Sequence, residues 1–379
     1  MASTLKIEVS AGDILSALQA FLKSVLAQET ISALLVPQHL PMKDRVMPAL
    51  VSDPAKLAAA DPLAPAFPLN AARLAARLTR RTAGGRIAAV LRPCEIRALV
   101  ELVKLKQAST EELLLIGIDC LGAFTNRDYA RYTATTGAGA TTAFYRRILF
   151  EGQRPADDFD LAPACRVCEH PVPEGADILI GLYGATPGGP LWAEAQTPKG
   201  KAFLEQLGAG AAEAPAGRSG AVAELIAARS ARRDEMFAAT REQTDSLEKL
   251  SAYLAACVNC YNCRVACPVC YCRECVFVTD VFDHEPFQYL KWAHRKGAVK
   301  MPTDTIFFHL TRLAHISTAC VGCGQCSNAC PNDIAVMELF RSVSHRTQAA
   351  FKYEAGRSLD EPPPLAVFKE DEFGEVTGL

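Results

Sequence analysis

The sequence predicts an α/β domain, a mixed sheet with helices, followed by a cysteine-bearing module embedded in helices. Three observations carry this. Between residues 80 and 207, short apolar runs of strand length alternate with segments of helical period. From residue 257 the cysteines crowd, seven of them falling within CVNCYNCRVACPVCYCREC. The chain holds 15 cysteines in 379 residues and opens on MASTLKIEVSAGD, which lacks the basic then apolar progression of a secretory leader. A disulfide framework is therefore not the expected use of so many thiols, because reducing compartments keep them open, and metal binding is.

Taken in order, Asp13 to Ala27 repeats Ile14, Leu15, Leu18, Phe21, Leu22, Val25 and Leu26 at helical spacing. A Pro-punctuated stretch follows, from VPQHLP to DPLAPAFPLN, so residues 1–79 are expected to pack on the next domain as a helical, Pro-punctuated segment. RIAAVL (86–91) reads as a buried strand, EIRALVELVKLKQ (95–107) as a helix, and LLLIGI (113–118) and ADILIGLYG (176–184) as further strands; 80–207 is then the α/β domain. GAGAAEAPAGRSGA (208–221) reads as a linker. Residues 222–345 carry a charged helix, KLSAYLAA, the cysteines, and TDTIFFHLTRLAHIS (303–317), a helix capped by Thr303 or Asp304; 346–379 is a tail.

Composition narrows the function. A net charge of -2 with both signs interspersed gives no basic field for nucleic acid. The most apolar short run, LLLIGI, is far below the roughly 20 residues a membrane-crossing helix needs. The expectation is a cytoplasmic protein without a transmembrane segment, able to associate with a membrane only through a partner.

Aligning the cysteines exposes a repeat. Cys257, Cys260, Cys263, Cys267 and Pro268 match Cys320, Cys323, Cys326, Cys330 and Pro331, each as CxxCxxCxxxCP. This is the ferredoxin-type run, in which the fourth cysteine ligates the cluster held by the other run, so the module is expected to be bacterial-ferredoxin-like, α+β, with two 4Fe-4S clusters. The sets are Cys257, Cys260, Cys263 with Cys330, and Cys320, Cys323, Cys326 with Cys267. Three thiolates on one tight loop reach three irons of a cube, and the longer last step aims the fourth away; Gly322, Gly324 and Ser327 leave room for that approach. Zinc sites use two separated CxxC pairs instead, so zinc is the weaker reading. Cys270, Cys272 and Cys275 fall outside the repeat and are expected to remain unligated or to neighbour a ligand. His284, His294, His309 and His315, between the runs, read as packed or surface histidines.

Four cysteines remain: Cys94 in LRPCEIRAL, Cys120 in IGIDCLGAF, and Cys165 and Cys168 in ACRVCEHPVPEG. Cys94 follows a strand and opens a helix, whose dipole favours a thiolate, and Cys120 lies just beyond the C-terminal end of a strand, where α/β sheets collect ligands. On spacing alone, packed cysteines plus a lone CxxC stay open as an alternative. RPCEIRALVELVKL, GIDCLGAFTNRDYAR and CRVCEHPVPEGADILIGLYG resemble the three blocks of the coenzyme F420 hydrogenase/dehydrogenase beta-subunit family, over roughly residues 80 to 200. The dicluster module with its CPVCYCREC extension resembles the formate dehydrogenase beta branch of that family. The resemblance implies a third 4Fe-4S cluster on Cys94, Cys120, Cys165 and Cys168, beside a flavin. AARLTRRTAGGR stands where the family carries a Gly-Gly-x-x-Thr block.

Two glycine-containing stretches are candidates for an FAD pyrophosphate: TRRTAGGR, with Arg80, Arg81, Gly84 and Gly85, and TGAGATT, with Gly137, Gly139 and Thr141. A flexible turn is the plainer reading of each. No nucleophile with a paired base and no paired carboxylates stand out, so catalytic residues are not assigned and the chemistry belongs to cofactors. The expected function is an iron-sulfur, flavin-containing electron-transfer subunit of an oxidoreductase. It would link a formate dehydrogenase or hydrogenase catalytic subunit to a hydride-exchanging flavin and to F420 or a nicotinamide. The alternative is a flavin-free relay serving a heterodisulfide-reductase-like partner.

Overall fold

In a computed structural model, which describes residues 3–41, 45–80, 85–210, 215–272, 275, 277, 285–296 and 302–367, the sheet begins before residue 80. Strand β1 (Thr4–Ile7) precedes α1 (Ile14–Leu26), β2 (Ile31–His39), β3 (Val46–Val51) and α2 (Ala72–Leu78). Then come β4 (Arg86–Leu91), α3 (Pro93–Lys104), β5 (Leu113–Ile118), α4 (Asn126–Thr136), α5 (Ala140–Leu149), α6 (Pro163–Arg166), β6 (Ile178–Gly181), β7 (Leu191–Ala195) and α7 (Pro198–Gln206). The remaining described elements are α8 (Arg218–Thr244), α9 (Leu247–Tyr253), α10 (Asn262–Ala266), α11 (Pro286–Lys296), α12 (Pro302–Ile316), α13 (Gln325–Asn328) and α14 (Val336–Ala350).

The seven strands lie in the order β1-β7-β6-β5-β4-β2-β3. Strands β2, β4, β5 and β6 are parallel, while β7, β1 and β3 each run antiparallel to the neighbour they join. Period-two burial builds the two faces: Ala88, Val90, Leu114, Ile116 and Ile118 point into a core with α1, and Ile87, Ala89, Leu91, Leu113 and Leu115 point into a second. That second core holds Ile96 and Leu99 of α3 together with Phe308, Leu313 and Ile316 of α12 and Leu339 and Phe340 of α14. The cysteine-bearing module is thus seated on the sheet through one apolar core, at about 1.5–3 kcal/mol for each large side chain buried.

Local chemistry fixes the ends. Asp13 caps α1 by accepting from the Ser16 N–H at 3.0 Å and from the Ser16 hydroxyl at 2.6 Å. Asp119, just after β5, accepts from the Leu182 and Tyr183 amides at 2.8 and 3.1 Å and from both arms of Arg218, which also covers the Trp192 ring at 4.7 Å. The stretch read as a linker therefore enters the fold at both described ends: Gly210 exchanges backbone hydrogen bonds with Thr4, and Arg218 opens α8. The tail is likewise held as far as Gly356, where Glu101 accepts from the Tyr353 hydroxyl at 2.6 Å and the Gly356 N–H at 2.7 Å.

Candidate metal centres

The two CxxCxxC loops fold alike. Asn259 and Tyr261 have φ of +53° and +58°, and the residues at the same places in the second loop, Gly322 and Gly324, have +68° and +78°. Each loop then opens a short helix, α10 from Asn262 and α13 from Gln325, so the third cysteine of each run starts a helical turn. Alternating left-handed residues turn successive N–H groups inward, a concavity suited to anionic sulfur. Gly324 is needed for a second reason: a Cβ there would meet Ala164 Cβ at 2.4 Å, so the second loop lies directly against α6.

Electrostatics sorts the thiols into sets. Burial pushes the Cys263 thiol up, opposed by Arg312 and reinforced by Cys257, Cys260 and Cys330. Burial likewise raises Cys326, with Cys267, Cys323 and Cys320 adding to it, and raises Cys267 to about 12, with Cys320 again among its neighbours. Cys267, Cys320, Cys323 and Cys326 also line one small cavity, with Arg312 and Phe340 in its wall. In these neighbourhoods Cys330 lies near Cys263, and Cys267 near Cys320 and Cys326. Crowded, buried thiols cannot all ionise alone; cations that bind thiolate reverse that cost, releasing protons as they bind.

The four dispersed cysteines converge at the C-terminal edge of the parallel strands. Cys94 follows β4, Cys120 follows β5, and the Cys120 N–H donates to Pro171 O at 2.8 Å, which draws in the loop carrying Cys165 and Cys168. Burial raises Cys94 well above the ordinary thiol value, with Cys323, Cys120 and Cys168 adding to it; Cys165 is pushed up to about 12 by burial and by Cys120 and Cys168. At the helix start, desolvation comes first in setting that direction for Cys94, ahead of Cys323 and Glu95. Two arginines face this set. Arg92, held by the carbonyls of Ala64 and Ala66 at 2.7 Å each, lies near Cys120, Cys94 and Cys165, and the buried Arg229 of α8 lies near Cys168, Cys120 and Cys165.

Residue types gave no sign of Arg92, Arg229 or Arg312. His309, expected to be packed or exposed, is buried with Nε2 3.5 Å from Cys257 Sγ, and burial with Arg312 lowers it to about 4; His294 and His315 are exposed, and His284 lies outside the described residues. Burial raises the half-buried Cys270, which lies near Arg312, Cys272 and Cys275. Among the described residues no three His, Cys, Asp or Glu side chains approach closely enough to share one metal ion; a cubane asks less, since each thiolate binds its own iron.

The glycine stretches sit elsewhere. Arg80 is exposed with its guanidinium 3.0 Å from Gln107 Oε1, and Gly85 precedes β4, at the opposite end of that strand from Cys94; Arg81 and Gly84 lie outside the described residues. Gly137 and Gly139 are exposed beyond the end of α4, and the Thr141 hydroxyl donates to Asp61 at 2.6 Å in the core. A cleft of about 480 Å³ opens instead beside Cys165, Cys323 and Cys330, walled by Phe67, Phe124 and the start of α4. It adjoins, across Pro163 and Glu338, a second cleft of about 700 Å³ that carries Arg154, Arg166, Arg229 and Arg232.

Comparison with known proteins agrees with this division. The family model described as the C terminus of the coenzyme F420 hydrogenase/dehydrogenase beta subunit matches residues 84–216, and a 4Fe-4S dicluster domain matches residues 253–334. The chain is 27% identical over 326 residues to the F420-dependent formate dehydrogenase subunit beta of Methanocaldococcus jannaschii, covering 78% of this chain and 79% of that protein. It is 26% identical to the F420-dependent formate dehydrogenase 1 subunit beta of Methanococcus maripaludis, covering 74% and 75%. A chain of the F420-reducing [NiFe] hydrogenase complex from Methanosarcina barkeri aligns with a TM-score of 0.46 at 13% identity, over 65% of this chain and 93% of that one. No helix among the described residues is long and apolar enough to cross a membrane. The chain is thus similar over residues 84–216 to the coenzyme F420 hydrogenase/dehydrogenase beta subunits, and over residues 253–334 to a 4Fe-4S dicluster domain.

Proposed function

We propose that this chain is the iron-sulfur electron-transfer subunit of a multi-subunit oxidoreductase of the formate dehydrogenase or hydrogenase type, with three 4Fe-4S clusters and FAD. The observation that carries the reading is the gathering of twelve thiols into three neighbouring quartets: Cys257, Cys260, Cys263, Cys330; Cys267, Cys320, Cys323, Cys326; and Cys94, Cys120, Cys165, Cys168. Bound there, the clusters and flavin supply the exchange between two-electron hydride chemistry and single electrons. The chain's own part is to hold, space and charge-balance them.

The sets form a row. Cys94 feels Cys323, and Gly324 rests on Ala164 beside Cys165, so the sheet-edge quartet adjoins that of Cys320. Arg312 connects this middle quartet to that of Cys263. At the far end Cys260 is exposed between Val258 and Val265, 66% and 60% accessible, a surface on which a catalytic partner can exchange electrons. The paired clefts, the first of which borders Cys165, Cys323 and Cys330 and so one thiol of each set, fit a flavin better than the glycine stretches do: aromatic walls suit a ring, and the arginines suit a pyrophosphate. F420, as in the named relatives, or a nicotinamide would then be the hydride carrier.

Protein purified without oxygen is expected to hold about twelve iron and twelve acid-labile sulfide per chain, and to release a fluorescent flavin on acid treatment. Stoichiometric zinc without sulfide overturns the cluster reading; iron and sulfide without flavin leaves the relay to a heterodisulfide-reductase-like or other partner.

A further inference from the structure

Arg312 is 3% exposed, yet among the described residues it is in no ion pair with a carboxylate. Its NH1 donates to Cys263 Sγ and its NH2 to Cys263 O, each at 3.1 Å. The guanidinium stacks 4.6 Å over Phe340 and 5.4 Å over Phe308, which fixes it in place. On its other side it walls the cavity lined by Cys267, Cys320, Cys323 and Cys326. A guanidinium taken out of water needs a counter-charge, and the thiolates around it supply one.

We propose that Arg312 is a positioning residue shared by both centres of the dicluster module, a fixed positive charge that raises the reduction potentials of the two together and keeps electron passage between them near level. Guanidinium keeps its charge at any working pH, and its planar fork donates to Cys263 while its face stacks on the two rings. Reduction adds negative charge to a cluster, and a cation in a low-dielectric wall favours that state. One residue touching Cys263 while facing the Cys267 quartet acts on both at once. The quartet of Cys94 has its own arginines, Arg92 and Arg229, whereas the thiols that act most strongly on Arg312 are Cys263, Cys267, Cys326 and Cys270.

The proposal rests on the cluster reading above, and its test separates the two. Wild-type protein and Arg312→Gln, purified anaerobically, are titrated against redox mediators and followed by electron paramagnetic resonance. With iron content retained, both dicluster potentials are expected to fall by at least a tenfold change in the reduction equilibrium, 59 mV for one electron, while the third centre stays put. A shift confined to one of the two centres, or none, overturns the shared role. If Arg312→Gln fails to retain iron, Arg312→Lys is titrated instead: both dicluster potentials within tenfold of wild type support the role of charge, and a larger fall in either overturns it. Absence of iron from the wild-type protein would sink the cluster reading itself.

Discussion

Replacing Gly324 with alanine tests the closest approach between the dicluster loop and the sheet domain. Gly324 has φ of +78°, and an added Cβ meets Ala164 Cβ at 2.4 Å. The left-handed backbone alone costs about 1–2 kcal/mol with a side chain, an amount the first loop already tolerates at Asn259 and Tyr261. Forcing a methyl group into packed space adds about 1–3 kcal/mol, for a total of about 2–5 kcal/mol. The assay is the half-life of cluster absorbance in a fixed concentration of denaturant under anaerobic conditions. At about 1.4 kcal/mol per tenfold in rate, Gly324→Ala is expected to shorten it roughly thirtyfold or more, provided opening relieves the strain. Ala164→Gly removes the colliding methyl and is expected to recover the packing part but not the backbone part. If Gly324→Ala costs as much in the Ala164→Gly background as in wild type, within about 0.5 kcal/mol, the contact is absent and the reasoning fails.

Cys94→Ala is expected to remove one cluster, lowering iron by about four per chain while the dicluster signals persist; loss of all iron, or of none, contradicts the third quartet. Arg218→Ala strands the fully buried Asp119 carboxylate and is expected to cost about 3–5 kcal/mol of stability, read by denaturant titration followed by circular dichroism; a loss below about 1 kcal/mol refutes a structural role for the pair. Asp13→Ala is expected to cost about 1 kcal/mol near neutral pH. The Ser16 hydroxyl and N–H hold the Asp13 carboxyl below its ordinary value. That contribution is whole above the unfolded value of about 3.9 and fades as pH falls through the folded one, so variant and wild-type stabilities converge in acid.

The strands at 86–91 and 113–118 were legible because a short, wholly apolar run between turn signals has few other uses. Strands β2 and β3 were passed over because Pro37 and Pro48 read as punctuation. In the structure they face each other across the β2/β3 pair, where β3 is the outer strand and the pairing of β2 with β4 has already ended at Leu35. Proline at such a place interrupts no ladder bond on the inner side. The two CxxCxxC loops were legible because spacing dictates which thiols share a loop. The arginines were not, since nothing in the sequence says that residue 312 reaches back to residue 263, and the pull of α12 on that loop exists only once Phe308 and Phe340 have packed.

The single apolar core beneath α12, α14 and the sheet has a consequence for turnover. Many redox proteins carry one centre on a swinging arm, and their speed then follows the arm's diffusion. Here most of the dicluster thiols pack on the same core as one face of the sheet, so the spacing between the carriers proposed above would be set at folding. On that proposal, electron passage inside this subunit is expected not to change with solvent viscosity, which stopped-flow reduction in added glycerol would check.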